Sequence, residues 1–476
     1  MSAVTSARTA PDDPPPTLGA LRAAGHTHRS VKAEVRENLL ARLRTGEERF
    51  PGIVGFAETV LPRLERALLA GHDIVLLGER GQGKSRLIRT LTGLLDEWSP
   101  VVADCPVNDH PYTPVCARCR RLAAEAGDDL PVAWRHRADR YGEKLCTPDT
   151  GVGDLIGDID PVRLAEGRSL GDPESVHYGL VPRANRGVFC LSELPDLPAR
   201  IQVGLFNVLE ERDVQIRGLA LRLPLDMLLV AGANPEDYTN RGRIITPLKD
   251  RFGAEIRTHY PRELHDETAL IRQEAQLRGG VTVPGHLVEI VARFTRMVRD
   301  SSAVDARSGV SARFAIAGVE TAAAAAERRA ALIGERRAVA RVCDLPPIVE
   351  TLAGKVEFEA GEEGREAEVL GHLLRRATAE AFRDTVDEAA LAPLTGLFAD
   401  GAKVEAGELV GAAELLRGVG PLPGLAALTE RVEPDRQDSG DPEARAAAVL
   451  EFTMEGLYLT RRLSKEHLED RAVYRT

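Results

Sequence analysis

The chain has 476 residues, enough for roughly two to four domains of about 100–200 residues each. Apolar residues at 43% and charged residues at 28% are the balance of an ordinary globular protein and exclude disorder of the whole chain. The net charge of −11 argues against a general nucleic-acid coat, and with no apolar run near the ~20 residues that span a bilayer and no apolar core in MSAVTSARTAPDDPPP, no membrane span and a cytoplasmic location are expected.

Residues 1–28 are rich in Pro, Thr, Ala and Gly without apolar periodicity and read as a disordered tail. Residues 30–44 place Val31, Val35, Leu39, Leu40 and Leu43 at helical spacing behind the N-cap candidate Ser30. FPGIVGF follows, then a second helical stretch at 58–71 that Gly71 ends. The run HDIVLL at 72–77 is short and continuous, as expected of a parallel strand buried on both faces. Apolar runs recur at 100–103, 188–191 and 227–231 with helical patterns between them, which predicts an α/β fold on a parallel sheet. Beyond about residue 261, strand-like runs nearly vanish and Ala, Glu, Arg and Leu dominate, so the remainder reads as helical.

Between the first strand and its helix lies Gly78-Glu79-Arg80-Gly81-Gln82-Gly83-Lys84-Ser85, a complete GxxxxGKS. Its glycines let successive backbone N–H groups face phosphate oxygens; Lys84 would reach the β- and γ-phosphates of ATP, and the Ser85 hydroxyl would ligate Mg2+. Hydrolysis also needs a group for the attacking water. Glu193 ends the apolar run GVFCLSE and can orient or deprotonate that water, while Asn234, at the end of LLVAGAN, can hold it by a hydrogen bond or can simply begin a turn before Pro235.

Cys105, Cys116 and Cys119 form a C-x10-C-x2-C set, a pattern that suits structural zinc with Cys146, His110 or His136 as fourth ligand. Buried cysteines acting as small hydrophobes are the alternative. Cys190 and Cys343 lie in apolar stretches and are expected in the core.

Together these residues resemble the AAA+ ATPases of the magnesium chelatase I-subunit and MoxR-type branch, from about residue 50 to 330. The carriers are the phosphate loop, GDLIGDIDPVRLAEGR, YGLVPRANRGVFCLSELPDL, ANPEDY and TPLKDRFG. The resemblance implies a five-stranded parallel nucleotide domain at 29–261 with the cysteine insertion at about 104–146, a helical lid at 262–345, and a further helical region at 346–476. It also implies an insertion at 157–186 and a hairpin within DVQIRGLALRLPLD. By the same resemblance Ile53, Val54 and Gly55 would pack on adenine, Asn234 would sense the γ-phosphate, Arg251 would be the arginine finger entering a neighbouring subunit's site, and Arg313 the second sensor on the lid. The implied protein is a ring, expected as a hexamer, that hydrolyses ATP with Mg2+ to remodel a client bearing a von Willebrand factor A domain. The alternatives are a chelatase motor subunit of tetrapyrrole synthesis and a nucleotide-sensing scaffold with little turnover. One departure stands out: the family's acidic strand ends in Asp-Glu, whereas this chain has Ser192-Glu193, which predicts weaker metal anchoring and slow or partner-stimulated turnover.

Overall fold

A computed structural model describes residues 14–166, 175–210, 223–234, 244–305, 309–434, 441–468 and 471–476. The chain divides into two compact units, residues 1–259 and 260–476. Among the described residues no helix is long and apolar enough to cross a membrane.

The first unit is built on a five-stranded, all-parallel sheet. In chain order its strands are β1 (Ile74–Leu77), β4 (Tyr141–Leu145), β7 (Val188–Ser192), β8 (Leu228–Ala233) and β9 (Ala254–Arg257), arranged β4-β7-β8-β1-β9. Alternate side chains sort to opposite faces. Ile74, Leu76, Val188, Cys190, Leu228, Val230 and Ile256 pack against the helices Val31–Thr45, Val60–Leu69 and Lys84–Thr90. Val75, Leu77, Phe189, Leu191, Leu229 and Ala231 join a second cluster with Ile201 and Leu205 of the helix Ala199–Glu210. With both faces covered, the strands carry uninterrupted apolar runs, and the phosphate-loop motif follows the first of them, as in the α/β nucleotide-binding fold expected from the sequence.

Two expectations are corrected. The apolar run at 100–103 is not a strand of this sheet: β2 (Trp98–Val102) pairs antiparallel with β3 (Val132–His136), and β4 takes the place beside β7. Residues 14–28 are not tail, because Pro16 and Leu18 bond to Val132 and Leu130, and the helix Leu18–Ala23, capped by the Thr17 hydroxyl, buries Leu18 and Leu21. Proline and glycine near the start hid two core leucines. The expected insertion at 157–186 is seen in part, as the antiparallel pair β5 (Gly157–Ile159) and β6 (Val176–Tyr178). The expected hairpin falls largely on 211–222, outside the described residues.

The second unit is helical, as the composition predicts, but it also holds a three-stranded antiparallel sheet, β10 (Val404–Ala406), β11 (Ser464–Leu468) and β12 (Arg471–Arg475), with β12 central. A single apolar cluster runs from Ile271 to Tyr474 and draws on both sides of residue 345, so the expected division into lid and separate C-terminal region does not correspond to two cores. Its longest helix, Ala312–Ile333, ends at Gly334 in the left-handed region (φ 75°) and buries Ala315, Val319, Ala322, Ala326 and Ala330 at helical spacing. Cys343, expected among apolar side chains, instead donates to Glu451 at 3.7 Å.

Candidate functional site

Parallel register brings the chemistry-bearing residues to one end of the sheet. Leu77 of β1 lies level with Ala233 of β8, and Leu191 of β7 level with Ala231. The next residues are therefore neighbours at the strand ends: Gly78, which opens the phosphate loop; Asn234; and the pair Ser192-Glu193. The Gly78 N–H donates to Ala233 O at 3.1 Å, joining loop and sensor strand directly.

The loop is already wound. Gly81 and Gly83 adopt φ of 76° and 75°, and Gly83 opens onto free space, so a side chain there would be strained without being blocked. Gly78 is different, since a Cβ would strike the Thr258 hydroxyl and the Gln82 amide. Gln82 Oε1 accepts from the Glu79 N–H (3.1 Å) and the Thr258 hydroxyl (2.8 Å), which clasps the loop onto the end of β9. Thr258 carries no sequence signal of this role. The Lys84 ammonium donates to the carbonyls of Gly78 and Glu79, the second at 2.8 Å, so a phosphate would exchange with the loop's own oxygens for this cation. Ser85 is exposed at the start of the following helix. Ile53 packs against the cluster that holds Leu87 and Ile88 of that helix, and Val54 and Gly55 (φ 77°) sit half-buried beside it.

Asn234 is 2% exposed, and its Oδ1 has no hydrogen-bond partner among the described residues. Buried acceptors are nearly always satisfied, and an open one at this strand end is able to accept a hydrogen bond from a water. Glu193, half-buried, holds a left-handed backbone (φ 55°) that L side chains adopt at a cost. The rest of ANPEDY falls outside the described residues.

The missing aspartate has a neighbour that the sequence did not reveal. Ser192 pairs with Leu145 across the β4–β7 ladder, and its hydroxyl donates to Glu143 Oε1 at 2.8 Å. Glu143 Oε2 also accepts from Arg89 of the phosphate-loop helix and from the Tyr141 hydroxyl, both at 3.0 Å. Burial works against its charge, but the hydrogen bonds from Arg89, Ser192 and Tyr141 outweigh it and hold its carboxyl below the usual range. A carboxylate therefore stands one strand away from where the family carries it.

The two expected arginines are each placed on a helix of their own unit. Arg251 ends the helix Thr246–Arg251 of the first unit and is exposed, while Arg313, also exposed, begins the helix Ala312–Ile333 of the second unit.

The cysteine insertion gathers Cys105, Cys116 and Cys119 with a fourth group, Asp109; one sulfur from each cysteine and one carboxylate oxygen lie within 4.8 Å of one another. None of the three expected fourth ligands is in this group. His110 is buried against His26, His28 and Tyr112, His136 stacks edge-on to Trp98, and Cys146 follows β4, where its N–H donates to Ser192 O. Hydrogen bonds from Cys116 and Cys119 hold the Cys105 thiol below its usual range, and burial together with the neighbouring Cys105 raises the Asp109 carboxyl.

Parts of the chain are similar to known proteins. Residues 167–250 match the sigma-54 interaction domain. The chain is 29% identical over 238 residues to the magnesium-chelatase subunit ChlI of Nostoc sp., covering 48% of this chain and 58% of that protein. It is 31% identical over 268 residues to the chloroplastic subunit of Chlamydomonas reinhardtii, covering 52% and 58%. The 38 kDa magnesium-chelatase subunit of Acidiphilium rubrum is 28% identical over 342 residues, covering 70% and 83%. The chain thus spans under two thirds of the first two relatives. A solved complex of the BchI and BchD subunits of magnesium chelatase aligns with 68% of this chain and 98% of its own, at 22% identity and a TM-score of 0.35. The chain is thus similar in sequence to the magnesium-chelatase I subunits over about half of its length.

Proposed function

We propose that this relative of the magnesium-chelatase I subunits is an ATP-hydrolysing motor that works as a ring in the cytoplasm, expected to be hexameric, and remodels a partner protein. The observation that carries the reading is the buried, unsatisfied Asn234 Oδ1 beside a wound phosphate loop, with Glu193 on the adjoining strand end. Gly78 to Ser85 hold the phosphates through backbone N–H groups, and Lys84 turns from its carbonyl partners to the β- and γ-phosphates. Ile53, Val54 and Gly55 receive the base. Glu193 accepts a proton from water as its oxygen attacks the γ-phosphorus, and the bond to the β–γ bridging oxygen breaks, leaving ADP. Asn234 orients that water. Arg251 of a neighbouring copy and Arg313 offset the charge spreading over the phosphoryl oxygens.

Ser85 would hold Mg2+, which when bound neutralises charge between the β- and γ-phosphates. The Ser192–Glu143 pair supplies a negative charge near that position in place of the family's aspartate. Because Arg89 already shares this carboxylate, metal affinity is expected to be modest and turnover slow until a partner binds.

Phosphate release with and without Glu193→Gln tests the core of the reading. We expect a fall of about 100-fold or more with nucleotide binding retained, in the range usual for loss of a general base; equal rates would remove Glu193 from the mechanism. Turnover absent from the native chain, with ATP still driving assembly, would leave a nucleotide-sensing scaffold. The client is expected to carry a von Willebrand factor A domain, and Glu193→Gln, by stalling the cycle, should retain it on affinity purification.

A second reading, a chelatase motor subunit of tetrapyrrole synthesis, is favoured by the similarity to the Acidiphilium subunit over 83% of that protein. Magnesium insertion into protoporphyrin when the chain is mixed with the remaining chelatase subunits would select it.

A further inference from the structure

We propose that Cys105, Asp109, Cys116 and Cys119 form a structural zinc site, independent of the nucleotide chemistry. Three thiol sulfurs and a carboxylate oxygen mutually within 4.8 Å can surround one ion. Tetrahedral zinc, with bonds of about 2.3 Å to sulfur and about 2.0–2.2 Å to oxygen, sets its ligand atoms about 3.5–3.8 Å apart, inside that limit. An iron–sulfur cluster has several metal centres and holds its thiolates farther apart. Thiolates also select against Mg2+ and Ca2+, which take oxygen ligands.

The surroundings are arranged for an ion. Asp109 is fully buried, and its Oδ2 accepts the N–H groups of Val115 (3.0 Å) and Cys116 (2.9 Å). Its Oδ1 has no partner among the described residues, an expensive state for a buried carboxylate unless a cation is nearby. Backbone N–H groups point at two of the sulfurs: Asp109 donates to Cys105 at 3.2 Å and Cys119 donates to Cys116 at 3.3 Å. Such bonds favour the thiolate over the thiol, and they fix where the sulfurs lie before metal arrives. Arg118, whose guanidinium is 3.9 Å from Cys119 Sγ, offsets part of the negative charge that four anionic ligands leave around one Zn2+. Four protein ligands close the shell, so the ion is structural.

Its place in the fold gives it a task. The ligands lie in the excursion between β2 and β3, whose base is held by the Val102 N–H to Asp109 O bond and the Ala103 N–H to Pro131 O bond. Residues 16–18 dock beside this same base, at Leu130 and Val132. The metal would therefore tie together this segment and, through it, the N-terminal stretch that docks on it.

The experiment uses the full chain, purified with a non-thiol reductant. Elemental analysis is expected to find close to one zinc per chain. After removal of metal, titration with Co2+ is expected to give thiolate-to-cobalt charge-transfer bands in the near ultraviolet and strong visible bands of a tetrahedral centre, both displaced by Zn2+. Asp109→Ala is expected to weaken Zn2+ binding by at least 10-fold, and Cys116→Ser to abolish the tetrahedral spectrum. Less than about a tenth of an equivalent of zinc together with no charge-transfer band overturns the site. Unchanged zinc affinity in Asp109→Ala overturns the assignment of the fourth ligand. Should either variant fail to fold, the cobalt spectrum of the native chain decides alone.

Discussion

Buried acids are satisfied within the protein in both units, and in the first Glu34 meets Arg140 through hydrogen bonds of 2.6 and 2.7 Å; against that common background, two open acceptors of the first unit stand apart. In the second unit, three buried acids have both oxygens bonded within the protein. Glu267 meets Arg299 through two hydrogen bonds of 2.7 and 2.8 Å, Asp344 meets Arg329 and the Arg341 N–H, and Glu433 accepts from His286 and the Gly285 N–H. In the first unit, Asn234 and Asp109 are just as buried, and each has an oxygen with no partner among the described residues. A satisfied buried acid stabilises a fold; an unsatisfied one costs stability and is kept where something else comes to bind. Burial alone therefore does not locate function, whereas burial combined with an open acceptor does.

The comparison is broken most directly by removing a satisfied partner. Arg299→Met leaves the fully buried Glu267 carboxylate without its cation, and loss of one member of a buried pair costs about 3–5 kcal/mol. Denaturant unfolding, with hydrogen exchange read on the helix Gly285–Arg299, measures it. A cost below about 1 kcal/mol would mean that the second unit does not depend on its internal pairs.

A smaller effect is expected at Glu433. The helix Gly285–Arg299 begins at Pro284 without a side-chain cap of its own, and Glu433 supplies one from far along the chain, at 2.9 Å from the Gly285 N–H and 2.8 Å from the His286 N–H. Glu433→Gln is expected to cost about 1–3 kcal/mol. Burial opposes the charge on Glu433, but the His286 ring and the two backbone donors outweigh it and keep its carboxyl below the usual 4.5. Its contribution is therefore in place above about pH 4.5 and is lost as pH falls through the lower folded value. Stability measured from pH 6 down to 3 should fall more steeply in the native chain than in Glu433→Gln.

At Glu143 the expectation is an order of magnitude in metal dependence. Glu143→Gln removes the charge behind Ser192, and the Mg2+ concentration for half-maximal phosphate release should rise about 10-fold, equivalent to about 1.4 kcal/mol. Adding Ser192→Asp to that variant returns a carboxylate to the family position and should recover most of the loss. Ser192→Asp in the native chain should lower the Mg2+ requirement by less than it does on top of Glu143→Gln, because it sets two carboxylates side by side. No change in Mg2+ dependence in any of the three would remove Glu143 from the site.

Much of this was legible in the chain. The phosphate loop, both strand-end residues and the parallel sheet follow from local patterns, because GxxxxGKS and continuous apolar runs carry their geometry in adjacent positions. What stayed hidden depends on pairing between distant segments. Nothing near Ser192 announces Glu143, since the two meet only through the β4–β7 register. Thr258 is likewise invisible until β9 lies beside β1. Asp109 stood in plain view between Cys105 and Cys116, but a search confined to Cys and His passes over a carboxylate. The two leucines of the helix Leu18–Ala23 were masked by composition, and the run at 100–103 showed that an apolar pattern identifies a strand without saying which sheet it joins.

The smallest effect expected on the fold gives the sharpest test of the contrast. If Asn234 serves the bound triphosphate and not the protein, Asn234→Ala removes an acceptor that has no partner among the described residues, and the stability of the nucleotide-free chain should change by less than about 1 kcal/mol. Phosphate release should nevertheless fall by about 10- to 100-fold, with ATP affinity changing less, because the amide acts on the attacking water and the γ-phosphate and not on the base or the α- and β-phosphates. A structural asparagine would do the reverse: its loss would destabilise the free chain and lower turnover only in proportion to the folded fraction. Thermal unfolding and single-turnover hydrolysis on the same preparation separate the two, and a destabilised variant with normal turnover per folded molecule would return Asn234 to the class of Glu267 and Glu433.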